Sequence, residues 1–254
     1  MNGKIAYPTL NRIKSALFIQ PHPDDNEVGA GGTIALLRRN GVKVYGLTVT
    51  LGEGGSTDPA VTPDEIAEVR KAEADRAMGI LGVQNLGNLG YPELCTIPHD
   101  RLVTDLVSVL RHTKVDAVFT VDPGLKDELH PTHIQVGNAV SEAFMRCGIP
   151  GFPAGSNVHE DAFPLKMIGY YMTDSATTVV NISDVMELKM KALAAHESQM
   201  SEALLGGIYS LAEANALGFP FAYAEPLRLL GPMHTHCFSI PSAVRKLEAV
   251  SLYP

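Results

Sequence analysis

The amino-acid sequence predicts an α/β fold, a Rossmann-like three-layer sandwich in which helices cover both faces of a mostly parallel central sheet. Short apolar runs alternate with helix-like segments through the first half of the chain. These runs are nearly continuous, which is typical of parallel strands that are buried on both faces. At 254 residues, the chain is also long enough to bury a substantial core.

The elements of the first half follow in order. Residues 16–20 form a short buried strand, and residues 28–40 form a helix that ends at an Asn-Gly pair. The β-branched run 42–50 is the second strand. After a Gly-rich loop, Thr62 caps a helix that has Pro at its first position and stops at Gly82. The later elements are a strand near 85–89, a helix over 102–111, a strand over 115–121 and a helix from 131 to about 145.

The second half of the chain is less regular. Its predicted elements are a Gly- and Pro-rich loop at 147–164, strands at 165–172 and 177–182, and one long helix from 185 to about 205. The sequence contains no internal repeat and no convincing domain boundary. We therefore expect a single domain over 1–254, with a core at about 14–205 and a C-terminal extension at 206–254.

Composition and charge exclude several function classes. Twenty basic against 28 acidic residues give a net charge of −8, which argues against a nucleic-acid or anionic-membrane partner. No apolar stretch approaches the roughly 18 residues that cross a bilayer, and the N-terminal apolar segment is too short for a signal peptide. Cys95, Cys147 and Cys237 form no CxxC pair, so we expect reduced thiols in a cytoplasmic protein.

The most informative segment, Pro-His-Pro-Asp-Asp at 21–25, follows the first predicted strand. Crowded, desolvated carboxylates repel unless a cation offsets their charge, and imidazole and carboxylate groups are suitable zinc ligands. If a helix began at Pro23, His22 and Asp25 would face one side and could hold one ion. Asp24 would then be free to take a proton from water. The alternative, that Asp24 and Asp25 only cap the next helix, gives no reason for His22.

A second polar segment, His130-Pro-Thr-His133, follows a later predicted strand. Active sites of open α/β sheets gather at the carboxyl ends of strands, so we expect both motifs at the same rim. Histidines three residues apart share one face of a helix. One of them could complete a His-Asp-His zinc site with an open position, and the other could stabilise an oxyanion.

Together, these motifs resemble the PIG-L/LmbE-type family of zinc-dependent N-acetylglucosaminyl deacetylases, which carries HPDD-type and HPDH-type motifs after two of its strands. The resemblance covers about residues 14–205. It includes the segments 29–34, 44–50, 52–53, 69–74, 81–83, 192–193 and 196–199. It implies an LmbE-like fold and a hydrolase that removes the acetyl group from an N-acetylglucosamine-type saccharide or conjugate, giving acetate and a free amine.

The resemblance also implies the roles of the motif residues. His22, Asp25 and His133 would bind one zinc ion per chain, or another divalent transition metal. Asp24 would be the general base, and His130 would be the acid that stabilises the oxyanion. The implied partners are a small amino-sugar substrate and further copies of the chain, in a trimer or hexamer.

Arg70 and Glu93 are further candidates by the same resemblance. Arg70 falls where family members use an arginine to hold substrate hydroxyls; the alternative is a solvated helix arginine that pairs with Glu73 or Asp64. Glu93 stands where an aspartate more often supports the first histidine of the second motif. Thr132 stands where family members usually carry an aspartate inside the second motif. The group that this aspartate orients in the family would therefore need another partner here.

Other patterns favour plainer interpretations. The segment 29–32, Gly-Ala-Gly-Gly, lacks the spacing of a dinucleotide fingerprint and is better explained by close helix–sheet packing. His234 and His236 would share one face of a strand, where a structural or subunit-contact role is expected, and His196 is expected to be structural. His99, His112 and His159 are interpreted as surface histidines. Three rival functions stay open: a metal hydrolase of a different amide or ester, a non-catalytic metal- or sugar-binding protein, and a nucleotide-binding Rossmann protein.

Overall fold

The structure, a computed structural model, describes residues 8–153, 161–236 and the backbone of 248–250; Cys237 and His159 lie outside these ranges. Over the described residues, the β-strands are β1 (Ser15–Gln20), β2 (Lys43–Thr50), β3 (Gln84–Tyr91), β4 (Ala117–Val121), β5 (Met167–Tyr171), β6 (Thr178–Asn181), β7 (Ala224–Leu230) and β8 (Glu248–Val250). The α-helices are α1 (Asp25–Arg39), α2 (Pro63–Ile80), α3 (His99–Thr113), α4 (Pro131–Arg146), α5 (Met186–Leu193) and α6 (Glu202–Asn215).

These strands form one sheet in the order β3-β2-β1-β4-β5-β7-β6-β8. The first five in that order run parallel, whereas β7 runs antiparallel to both of its neighbours and β8 pairs parallel to β6. From β1 the chain moves outward through β2 and β3, and it then returns to place β4 on the other side of β1. This reversal opens a crevice at the carboxyl ends of β1 and β4, where α/β sheets bind their ligands. The mostly parallel α/β sheet predicted from the sequence is confirmed.

Helices cover both faces of the sheet, and successive residues of β1 point to opposite faces. Phe18 belongs to the core that lies against α1 and α5, whereas Leu17 and Ile19 belong to the core against α3 and α4. The ring of Phe18 stacks on Phe119 of β4, with the ring centroids 4.4 Å apart. Because both faces are covered, residues 16–20 are all fully buried, which explains their continuous rather than alternating apolar pattern.

The start of α2 follows its local sequence. Thr62 accepts a hydrogen bond from the Glu65 backbone N–H, and the Glu65 carboxylate accepts one from the Thr62 backbone N–H at 2.8 Å. This capping box, with Pro63 in the first turn, satisfies N–H groups that have no partner within the helix. The helix start predicted at this position is confirmed.

The single long helix predicted over 185–205 is wrong, because two helices occupy this stretch. Helix α5 ends at Leu193, and Ser201 caps the start of α6 by accepting a hydrogen bond from the Leu204 N–H. The turn between them buries His196 completely and directs Ser198 toward Glu73 of α2. Those long-range contacts outweigh the helical periodicity of the stretch.

The C-terminal part of the chain contributes to the sheet itself. Strand β7 lies between β5 and β6, well inside the sheet order. The strand expected at His234 and His236 is wrong: residues 232–236 form a turn in which His234 Nδ1 accepts the Gly231 N–H. Among the described residues, no helix has both the length and the apolar character needed to span a membrane.

Candidate active site

The Pro-His-Pro-Asp-Asp segment forms the turn between β1 and α1. Its position is set by β2, where the Thr50 N–H and hydroxyl both donate to the Pro21 carbonyl. His22 precedes the helix rather than lying on it, and its backbone N–H donates to Asp25 Oδ2 at 2.8 Å. His22 and Asp25 are both buried. Their side chains therefore meet through this turn and not through a shared helical face.

Asp24 has a strained backbone, with φ of +149° at a residue that is not glycine. It occupies the N-cap position of α1, but its side chain makes no capping hydrogen bond, so the capping interpretation of Asp24 is wrong. Arg70 instead contacts it: an Nη2–Oδ2 distance of 3.4 Å joins the two side chains. Backbone strain of this kind persists only where the surroundings impose it, and it concentrates at functional sites.

The second motif forms the start of α4. His130 is the N-cap residue, Pro131 opens the first turn and His133 lies within it. Glu128, which the sequence analysis did not single out, supports both histidines: it accepts the His130 backbone N–H at 2.7 Å and lies 2.9 Å from His133 Nδ1. A carboxylate bound to the far nitrogen of an imidazole is the usual support of a metal-binding histidine. The sequence did contain a signal for this support, namely an acidic residue two positions before His130.

The two motifs come together as predicted from their places at strand ends. The ring centroids of His22, His130 and His133 lie 4.6 to 5.2 Å from one another, and ligand atoms of the three histidines all fall within 4.8 Å. Asp25 lies between two of them: Oδ2 is 3.2 Å from His22 Nδ1 and Oδ1 is 3.2 Å from His133 Nε2. The predicted set of His22, Asp25 and His133 is thus contiguous, and His130 adjoins it.

The electrostatics of this cluster favour an ionised Asp25. Burial alone would raise its pKa, but hydrogen bonds and charges from His133 and His22 outweigh burial and hold the pKa well below its usual range. Burial likewise would lower the pKa of His133, yet Asp25 and Glu128 raise it to about 9. At neutral pH, an ionised Asp25 therefore lies against a protonated His133, whose proton a metal ion would displace on binding.

This arrangement fits a divalent transition metal. The buried His22 Nε2 has no hydrogen-bond partner among the described residues, although Glu93 Oε1 lies 3.3 Å away. Imidazole nitrogens and one carboxylate form the mixed N/O donor set that zinc and its neighbours prefer. Ligand atoms of His22, His130 and His133 are close enough together to hold a metal ion, and the Asp25 carboxylate contacts two of these residues, His22 and His133. This group differs from the predicted ligand set in having His130 in place of Asp25.

Asp24 and His130 differ from the metal-site residues in their pKa shifts. Burial and the adjacent Asp25 raise the pKa of Asp24 to about 7, although Arg70, His196 and His22 oppose this shift. Burial, with His22 and His133 nearby, lowers the pKa of His130. A carboxyl group with a pKa near neutrality is suited to general-base catalysis, and His130 is favoured in its neutral form.

Glu93 and Arg70 both lie at the site. Glu93 Oε1 is 3.8 Å from His130 Nε2, and its Oε2 accepts the Gly54 N–H at 3.2 Å. Arg70 is only 4% exposed, so the alternative of a solvated arginine paired with Glu73 or Asp64 is wrong. Its guanidinium donates to the Gly52 carbonyl at 3.0 Å in addition to its contact with Asp24.

The first turn of α1 is held from beneath by side chains that the sequence analysis did not single out. Gln20 Oε1 accepts the Asn26 N–H at 2.9 Å, and the Tyr171 hydroxyl donates to Asn26 Oδ1 at 2.9 Å. His196, expected to be structural, is fully buried with its Nε2 3.5 Å from Glu27 Oε2. These contacts fix the helix turn that carries Asp25.

The chain is similar in sequence and fold to several known deacetylases. A diacetylchitobiose deacetylase from Thermococcus kodakarensis is 37% identical over 204 residues, which cover 80% of this chain and 76% of that protein. A probable N-acetyl-α-D-glucosaminyl L-malate deacetylase from Bacillus cereus is 30% identical over 197 residues, covering 76% and 86%. A solved structure of N,N'-diacetylchitobiose deacetylase from Pyrococcus horikoshii superposes with a TM-score of 0.85 at 29% identity, covering 92% of this chain and 90% of that one.

A more distant structure shares the fold alone. The 4-carboxy-2-hydroxymuconate hydratase GalB from Pseudomonas putida is 21% identical, with a TM-score of 0.72 over 86% of this chain and 97% of that one. One fold thus carries different reactions, so family membership has to rest on sequence as well as shape. The PIG-L family, described as GlcNAc-PI de-N-acetylase, matches residues 17–144, which include both motifs. The chain belongs to this family of de-N-acetylases.

Proposed function

We propose that the protein is a zinc-dependent N-deacetylase that converts an N-acetylglucosamine-type saccharide or conjugate into acetate and a free amine. The observation that carries this proposal is the contact of the half-buried His133 with Asp25 and of Asp25 with His22, both of which are buried, with the strained Asp24 beside them. The similarity to the Thermococcus kodakarensis deacetylase supports a small N-acetylated saccharide of the diacetylchitobiose type as the first substrate to test.

The residues fit hydrolysis of an amide. His22, Asp25 and His133 would hold the metal, which supplies a Lewis acid for the amide carbonyl and lowers the pKa of water. Asp24, with a pKa of about 7, accepts a proton from the attacking water near neutral pH. As the C–N bond breaks, Asp24 returns that proton to the departing amine nitrogen, and the water oxygen stays on acetate.

His130 lies at the edge of the cluster, where its side chain is 43% exposed and can reach a substrate. It would donate a hydrogen bond to the carbonyl oxygen as negative charge develops there. Because burial and the neighbouring imidazoles lower its pKa, the neutral imidazole is the donor. Glu93 Oε1 lies 3.8 Å from its Nε2, beyond hydrogen-bond distance, so the support that we propose from Glu93 is electrostatic.

The proposal includes the predicted contact between Arg70 and hydroxyl groups of the substrate. Its 4% exposure leaves it a small surface for that contact, and its guanidinium bonds point to the Gly52 carbonyl and Asp24. A second role, holding the Asp24 carboxylate in place, is therefore included. One zinc ion per chain and a trimeric or hexameric assembly complete the proposal.

The test is release of acetate from N-acetylglucosamine and di-N-acetylchitobiose by protein of known metal content. Activity that is lost on chelation and returns with zinc would support the proposal. Metal binding without acetate release from any N-acetylated sugar would refute the substrate class. The variant Asp24→Asn should lose about 10²–10⁴-fold in kcat while retaining its metal, because only the general base is removed. Light scattering of the same sample measures the assembly.

A further inference from the structure

A tight turn, Gly52–Gly55, follows β2 and borders the site. The Gly55 N–H donates to the Gly52 carbonyl at 3.1 Å, and Gly52 has φ of +69°, a conformation that glycine adopts without strain. Gly54 is exposed and Gly55 half-buried, so polar contacts rather than apolar burial hold this turn against the protein.

Three side chains from distant elements hold the turn. Arg70 Nη1 of α2 donates to the Gly52 carbonyl at 3.0 Å, and Gln199 Nε2 donates to the Gly55 carbonyl at 3.0 Å. Glu93 accepts the Gly54 N–H. A Cβ atom at Gly55 would lie 2.7 Å from Arg70 Nη1 and 3.1 Å from Gln199 Nε2. The two side chains therefore converge on this glycine, and a larger residue would separate them.

Gln199 is itself anchored to the helix that carries Arg70. Its Nε2 also donates to Ser198 Oγ at 3.0 Å. Ser198 then donates its backbone N–H and its hydroxyl to the two oxygens of Glu73, at 2.7 and 2.6 Å. Glu73 is buried on α2, three residues after Arg70. A closed ring of contacts thus runs from α2 through the 198–199 segment and the turn back to α2.

We propose that Gln199 is a positioning residue for the general base. Gln199 holds the Gly55 end of the turn, the turn presents the Gly52 carbonyl to Arg70, and Arg70 contacts the carboxylate of Asp24. The inference rests on the proposed function for the role of Asp24. It gives the His-Glu-Ser-Gln segment at 196–199 a part in catalysis, although Gln199 acts on the reaction only through Arg70.

The variant Gln199→Met tests this chain of contacts, because it keeps the length of the side chain and removes the N–H donors. The variant loses the bonds to the Gly55 carbonyl and to Ser198 Oγ; only the first holds the turn, and its loss predicts a fall in kcat of about 2- to 12-fold. KM should change less than kcat, because the Arg70 guanidinium, which is the proposed contact for substrate hydroxyls, is retained. Hydrogen exchange at the Gly54 and Gly55 amides should become faster. Glu197→Ala is the matched control: this neighbouring side chain is 79% exposed and lies outside the ring, so it should change none of these quantities.

A double variant tests whether the effect passes through Arg70. In an Arg70→Met background, Gln199→Met should lower kcat by less than about 1.5-fold, because contacts in one network are not additive. If Gln199→Met lowered kcat in the Arg70→Met background as much as it does alone, the proposal would be overturned. An unchanged kcat in the single variant Gln199→Met, or an effect of that variant on KM alone, would also overturn it. If the wild-type protein released no acetate, the proposed function would fail instead. The exchange rates at Gly54 and Gly55 would still report whether Gln199 holds the turn.

Discussion

Replacing Lys189 with methionine is expected to remove about 3–5 kcal/mol from the free energy of unfolding, because it leaves a buried carboxylate without its counter-charge. Lys189 Nζ lies 2.7 Å from Glu225 Oε1, and both side chains are 3% exposed. The pair joins α5 to β7 beneath the middle of α1, where its burial gives water little access to the carboxylate.

The expected loss in free energy of unfolding follows from the groups that would lose their partner when Lys189 is replaced. Glu225 also accepts the backbone N–H groups of Gly32 and Thr33, at 2.8 and 2.7 Å, so its carboxylate stays in place when the lysine is removed. The Val28 carbonyl also loses the hydrogen bond that it accepts from Lys189 Nζ at 2.8 Å, and about 1 kcal/mol of the expected 3–5 kcal/mol comes from this loss. In contrast, the double variant Lys189→Met with Glu225→Gln removes both charges and should lose less than the two single losses combined.

Urea unfolding followed by far-UV circular dichroism measures these free energies without relying on tryptophan, which the chain lacks. In thermal unfolding, each kcal/mol should lower Tm by about 2–4 °C for a chain of this size. Lys166→Met is the matched control: its ion pair with Asp116 is formed by a side chain that is 69% exposed, so the cost should be at most about 1 kcal/mol. A Lys189→Met loss no larger than that control would refute the reasoning.

Three further outcomes are expected. The free energy of unfolding of Asp24→Gly should exceed that of Asp24→Asn by about 1–2 kcal/mol, because glycine adopts a φ of +149° with less strain than asparagine. Equal urea midpoints at equal slope would contradict this strain. Glu128→Gln should weaken metal binding about 10–100-fold in a chelator competition, since its carboxylate lies 2.9 Å from His133 Nδ1; an unchanged affinity would exclude that support. Burial raises the pKa of Asp116, but Lys166 and backbone N–H groups outweigh it and lower the pKa. Asp116 therefore stabilises the fold above its unfolded pKa of about 3.9 and loses that contribution as the pH falls through its lower folded value. As the pH is lowered, the free energy of unfolding of the wild type should consequently fall more steeply than that of Asp116→Asn. Parallel plots of this free energy against pH for the two proteins would contradict the prediction.

Local signals account for the parts of the fold that were predicted correctly. Apolar runs without alternation indicated strands covered on both faces, and Thr62 with its Pro-Asp-Glu start indicated the beginning of α2. The placement of both histidine motifs after strands was also local information. Together with the general geometry of parallel sheets, it was enough to place the motifs at one rim.

The two wrong element predictions have different physical causes. Residues 185–205 have helical periodicity, but the segment between α5 and α6 carries Ser198, which bonds to a carboxylate 125 positions away. There, a contact between distant segments outweighs local periodicity. His234 and His236 alternate as they would in a strand, yet they lie in a turn after β7 that local hydrogen bonds close, among them the bond from the Gly231 N–H to His234 Nδ1.

The order of residues along the chain identified the chemistry of the site, whereas tertiary contacts decided how that chemistry is arranged. His22, Asp24, Asp25 and His133 stand out by type and spacing, because few structural purposes need such groups together. The strain at Asp24, the burial that raises its pKa to about 7 and its contact with Arg70 depend on elements brought together only by folding. Burial and charge proximity are properties of three-dimensional distance, which spacing along a chain does not specify.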